Sequence, residues 1–205
     1  MNPQAAKLRR SRLTLVLLGA LFIGPLIAAW VLYSNGMRPT LTTNYGELVL
    51  PTQPLPKLEF RNVGGEPMPE LLTGRWSLVQ LGAATCDAAC SDRLVLGRQT
   101  RLALGAVGIN KDRLQLVYIV PDAAAATAAV TQLSETHKIL HIVADVGPAG
   151  QRSEDVFKPS DPLALYLVDP NGNWLMTYKD QADVDKLQRG LLDDLKKLLK
   201  LSSIG

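Results

Sequence analysis

From Leu13 to Leu32 the chain carries no charged residue. Coiled at about 1.5 Å per residue, such a run covers the roughly 30 Å hydrocarbon core of a bilayer. The sequence therefore divides into one membrane helix and whatever folds beyond it. Lys7, Arg9, Arg10 and Arg12 stand ahead of the run, and Arg38 is the nearest charge after it. That asymmetry places the short N-terminus in the cytoplasm. A cleavable signal peptide is the competing reading, but the apolar core is long and Ala28-Ala29-Trp30 is a poor small-x-small cleavage site. The expected organisation is a cytoplasmic N-terminus over residues 1–12, a transmembrane anchor over 13–33, an extended linker over 34–54 and one extracytoplasmic domain over 55–205. Pro39, Pro51 and Pro54 suggest the linker, since each proline fixes φ and removes an amide donor.

Four of the 22 Lys and Arg precede the anchor, so the other 18 nearly balance the 19 Asp and Glu. No basic stripe interleaved with aromatics is present, which argues against nucleic acid as a partner. About 170 residues follow the span, enough for one domain with its own core.

In that part short apolar runs alternate with helical patterns. Strands are expected at Lys57 to Phe60, Trp76 to Leu81, Leu114 to Val120, Ile139 to Ala144, Leu163 to Val168 and Trp174 to Tyr178. Helices are expected from Cys86 to Gly105, from Asp122 to Glu135 with Asp122 as N-cap, and from Asp183 to Leu201. Asp169-Pro170-Asn171-Gly172 supplies a hairpin turn between the last two strands. This order predicts an α/β fold, a mixed sheet flanked by helices.

The two cysteines, Cys86 and Cys90, fall at the first long strand-to-helix turn. Sites collect at such carboxyl ends of strands in open sheets. Side chains at i and i+4 of a helix stand about 5–6 Å apart at Cβ, whereas a disulfide wants about 3.5–4.5 Å, so a bond requires Cys86 to lie in an irregular first turn. Two thiolates holding a soft ion need less adjustment. A purely structural disulfide is the bland alternative, but so short a loop constrains little of the unfolded chain. Outside the cytoplasm a disulfide persists. The pair is thus expected to be a working dithiol, with Cys86 attacking and Cys90 resolving. A helix N-terminus favours the thiolate, while Asp87 and Asp92 oppose it.

The order of single span, Pro-rich spacer, Gly74-Arg75-Trp76-Ser77-Leu78-Val79, Cys86-x-x-x-Cys90 and Tyr166-Leu167-Val168-Asp169-Pro170-Asn171-Gly172 resembles the Sco/SenC family of membrane-anchored, thioredoxin-like cytochrome c oxidase assembly proteins. The resemblance covers roughly Leu55 to Leu199. It implies a thioredoxin-like fold, a periplasmic domain on a bacterial-type inner membrane, and oxidase subunits or other assembly factors as partners. It also implies Cys86 and Cys90 as catalytic thiols or as ligands of a transiently bound Cu(I). The family's third copper ligand is a histidine eight residues before the hairpin aspartate; here that position is Asp161. A carboxylate is a hard donor and suits a soft thiolate site poorly. His137 and His141 are the only imidazoles. They span a helix end and a strand, where a structural histidine is the commoner role. Pro162 lies near the cis-proline position of thioredoxin-type reductases. Two alternatives to the exchange or copper-holding function are a non-catalytic docking protein of oxidase assembly and a general extracytoplasmic disulfide reductase.

Overall fold

The computed structural model describes residues 3–35 and 44–202. The chain forms two units, divided between Thr43 and Asn44. In the first, Pro3–Ser34 is one helix, α1, which continues through Pro25. Its segment Thr14–Ser34, 21 residues with a mean hydropathy of 2.5, is long and apolar enough to cross a membrane.

The second unit is built on seven strands: β1 (Glu47–Pro54), β2 (Phe60–Arg61), β3 (Trp76–Leu81), β4 (Leu114–Val120), β5 (Leu140–Asp145), β6 (Leu165–Val168) and β7 (Asn173–Tyr178). Their order across the sheet is β1-β7-β6-β3-β4-β5-β2. The central β3, β4 and β5 run parallel, and β6, β7, β1 and β2 pair antiparallel to their neighbours. The helices are α2 (Ala88–Ala106), α3 (Ala123–Leu133), the short α4 (Ser153–Phe157) and α5 (Val184–Leu201).

Alternation along β3 and β4 divides the core. Leu78, Leu114 and Leu116 join Leu96 and Leu104 of α2 and Leu187, Leu191, Leu195 and Leu199 of α5. Tyr118 on the same face of β4 meets Ala125, Ala126 and Ala129 of α3. Val79, Val117 and Ile119 point the other way, onto Leu71, Leu72, Phe157 and Tyr166. Asp122 caps α3 through Ala125 N, as its position predicted. At the hairpin, Gly172 adopts φ +80°, and the Asp169 carboxylate accepts from the amides of Asn171 and Asn173.

One expectation needs correction. Residues 47–54 belong to the sheet, as the edge strand β1, and not to a linker. Prolines are tolerated there because an edge strand has a side that needs no donor. Pairing with β7 shifts between Leu48 and Gln53, the interval that holds Pro51. Residues 36–43 of the expected linker lie outside the described residues. The strand expected at Lys57 to Phe60 is reduced to the two residues of β2.

Candidate dithiol site

The end of β3 feeds a tight loop, Gly82 to Asp87, into α2. Asp87 is the N-cap of α2: its carboxylate accepts from Cys90 N at 2.9 Å. Cys86 therefore precedes the helix and Cys90 occupies its first turn, the irregular geometry that a bond between them requires. They form a disulfide, with Cα atoms 5.2 Å apart.

The two sulfurs occupy different surroundings. Both join the buried cluster of α3 alanines and Leu133, and Cys86 is 4% exposed within it. Its backbone is held at both ends by one α3 side chain: Cys86 N donates to Gln132 Oε1 at 2.9 Å, and Gln132 Nε2 donates to Cys86 O at 2.6 Å. Cys90 is 9% exposed. It lines a cleft of about 440 Å³ with Thr85, Tyr118, Pro162, Leu163 and Tyr166. Asp87, Glu154 and Asp161 also line it, with no Lys or Arg among the lining residues.

Two buried polar side chains meet the Cys90 sulfur. Gln80 Nε2 donates to it at 3.6 Å, and Tyr118 Oη lies 3.5 Å away. The phenol also donates to Ala83 O at 3.2 Å. A phenol has one proton and free lone pairs, so it can accept from a Cys90 thiol or turn its proton toward a thiolate. Burial pushes the Tyr118 phenol above the ordinary tyrosine range, with the Asp87 carboxylate adding to it, so the proton stays on the ring oxygen near neutrality. Gln80 could have been noticed as a lone amide inside an apolar strand. Tyr118 reads like any core residue of Leu114 to Val120, and nothing in the sequence marks Gln132.

The other candidates are placed differently. Asp161 lines the cleft with Cys90, but its carboxylate is occupied: one oxygen accepts from Leu163 N at 2.8 Å and the other from Asp180 N. The peptide before Pro162 is trans, since among the described residues the cis bond is Leu50-Pro51. His137 and His141 line a separate cavity of about 420 Å³, which shares no lining residue with the cleft. The fold does not bring them to the dithiol. Among the described residues no group of three or more His, Cys, Asp or Glu could hold a metal ion.

His137 is 5% exposed, and burial, with the Arg98 guanidinium adding, holds its imidazole below the ordinary value. The folded chain thus keeps it neutral where the unfolded chain takes up a proton, at about pH 6.5. Its contribution to stability is complete above that pH and declines as pH falls below it, because the unfolded state then binds more protons. The urea midpoint should drop from pH 7.5 to pH 5.5, and His137→Gln should reduce the drop. An identical drop in the variant would show that His137 has no part in it.

Residues 76–202 match the family model described as "Transmembrane-like, thioredoxin-like, C-terminal domain". No curated protein matches the chain. Among solved structures, yeast Sco1 with copper bound is similar with a TM-score of 0.55 at 22% identity, over 74% of this chain and 95% of that one. A SCO1/SenC family lipoprotein from Bacillus anthracis gives 0.52 at 16% identity, over 73% and 98%. BsSco, described as having a disulfide switch and as a member of the Sco family of cytochrome c oxidase assembly proteins, gives 0.53 at 15% identity, over 74% and 96%. What is shared at these identities is the fold. It is thioredoxin-like, a mixed sheet flanked by helices, and the resemblance to Sco/SenC proteins seen in the sequence extends through it.

Proposed function

The chain belongs to the family of transmembrane-like, thioredoxin-like C-terminal domains, and from that premise we propose that it is a membrane-anchored thiol–disulfide exchange protein that assists cytochrome c oxidase assembly. The observation that carries this reading is the Cys86–Cys90 disulfide, set at the joint of β3 and α2 with one sulfur on an open cleft. The disulfide switch described for BsSco, a protein of similar fold, supports it, as does that protein's place among oxidase assembly proteins. Supporting the anchor is α1, long and apolar enough to cross a membrane. The cations at positions 7, 9, 10 and 12 favour a cytoplasmic N-terminus and a domain on the periplasmic side of a bacterial-type inner membrane.

Copper enters this reading as cargo. The yeast relative holds copper in its solved structure. The ligand set that the Sco/SenC resemblance implies, two cysteines and a histidine, is not matched by the residues present here. Both oxygens of Asp161 accept from backbone amides, and the two imidazoles line another cavity. Cys86 and Cys90 alone remain to take Cu(I), and electron exchange between dithiols uses them without a third ligand.

The test is the reduced full-length protein in detergent with a disulfide-bonded Cys-x-x-x-Cys peptide. Wild type should pass two electrons per chain, and Cys86→Ser and Cys90→Ser should each slow complete reduction of the peptide by at least about 100-fold. Unchanged turnover in both variants would overturn the exchange reading. In the same samples, a competing chelator should strip Cu(I) from wild type; tight 1:1 retention lost on replacing either cysteine would instead favour copper carriage.

A further inference from the structure

We infer that Cys90, not Cys86, is the sulfur that bonds to the partner, with Gln80 and Tyr118 positioning it. This rests on the exchange reading above and reverses the order that the sequence suggests. Position in the chain favours Cys86, the cysteine nearer the helix start. Position in space favours Cys90.

Access separates the two sulfurs. Exchange requires a sulfur of the partner to reach one of the pair. Both cysteines belong to the buried cluster that holds Ala125, Ala126, Ala129 and Leu133, but the cleft has Cys90 in its wall and does not include Cys86. Polar partners separate them again. Gln80 Nε2 and Tyr118 Oη are both directed at Cys90 Sγ, at 3.6 and 3.5 Å. Among the described residues no polar side chain is directed at Cys86 Sγ, and the Gln132 bonds fix the backbone of Cys86 instead. Gln80 and Tyr118 are 2% and 0% exposed, so water does not compete for their bonds to the sulfur. Cys86 is held close to Cys90 and away from the cleft, which suits the resolving thiol.

The steps balance as follows. In the reduced protein the Cys90 thiolate attacks a partner disulfide; the Cys90–partner bond forms and the partner's second sulfur leaves as thiolate. The Cys86 thiolate then attacks Cys90 Sγ, the Cys86–Cys90 bond forms, and the partner's first sulfur leaves. Two electrons pass to the partner, whose two thiolates take up the two protons released by the dithiol. In the reverse direction a partner thiolate attacks Cys90 Sγ and Cys86 is the leaving group, so the mixed disulfide forms on Cys90 in both directions.

Cystamine is a suitable probe because it is a cationic disulfide and the cleft is lined by three carboxylates and no cation. In the full-length chain in detergent, Cys86→Ser, which leaves Cys90 free, should form the cystamine adduct at least about tenfold faster than Cys90→Ser, read by mass spectrometry. Tyr118→Phe and Gln80→Leu should each slow the adduct on Cys90 by about threefold or more and leave the adduct on Cys86 unchanged. A general loosening of the fold would alter both cysteines. Wild-type protein provides a check free of folding effects: the oxidised chain is challenged briefly with cysteamine and quenched with N-ethylmaleimide. Cysteamine should map to Cys90 and maleimide to Cys86. The reverse mapping, or faster reaction of the free Cys86 variant, overturns the assignment and leaves the exchange reading standing. Failure of both cysteines to react overturns both readings.

Discussion

Asp194→Leu is expected to lower the stability of the protein by about 3–5 kcal/mol, the sum expected from leaving several buried donors without their acceptor. Asp194 is 1% exposed on the inner face of α5. Its carboxylate accepts from Tyr45 N and Gly46 N, each at 2.9 Å to Oδ2, and from the Tyr178 hydroxyl at 3.3 Å. Burial, then the Asp194 carboxylate, pushes the Tyr178 phenol far above the ordinary tyrosine range and keeps it a donor. The leucine leaves two amides and a phenol without their acceptor, and each buried unsatisfied donor costs about 1–3 kcal/mol. Tyr45 also lies against Gly190, where a Cβ would stand 2.1 Å from its ring. The start of the folded unit is therefore fastened to its last helix. Asp194→Asn, which keeps one acceptor oxygen, should lose about half as much. Urea denaturation followed by circular dichroism checks both, and a loss below about 1 kcal/mol for the leucine would show that water satisfies those groups.

Gly82→Ala should cost about 3 kcal/mol, at the upper end of the usual range for overpacking. A Cβ at Gly82 would stand 2.0 Å from the Tyr118 Oη and Cζ atoms. Neither side can yield easily: Tyr118 is 0% exposed, and the Gly82 amide is bonded to Ile119 O at 2.9 Å. The added methyl displaces the phenol from the Cys90 sulfur, so exchange should suffer with stability. Tyr118→Leu in the alanine background should recover part of the loss, because the clash requires the ring. A double-mutant cycle measures this coupling. Strict additivity of the two changes would show that the ring and the methyl do not meet.

The sequence made the middle of the sheet legible because burial on both faces writes itself as predominantly apolar runs, broken here only by Ser77, Gln80 and Gln115. Trp76–Leu81 and Leu114–Val120 are strands with the expected bounds. β1 was hidden because Pro51 and Pro54 carry the signature of a spacer, and only the pairing with β7 reveals a strand. The short α4, closed by Lys158 in the left-handed region, lacks a full period from which to be read. At the site, spacing brought Cys86 and Cys90 to notice, but the helix expected to begin at Cys86 begins at Ala88, with Asp87 as its cap. Spacing could not show which sulfur faces outward. That depends on α3, whose Gln132 lies 46 positions from Cys86 and still sets the course of its backbone.

The two ends of the sheet constrain how another protein can approach. One border, β1, interrupts its ladder of donors with Pro51 and Pro54, and the other, β2, is two residues long. Neither offers the continuous row of free amides and carbonyls on which a foreign strand could extend the sheet. The same borders that discourage aggregation thus reject a whole mode of peptide capture. On the exchange reading proposed above, recognition is left to side chains and shape, and a client should be selected by how its surface presents a sulfur.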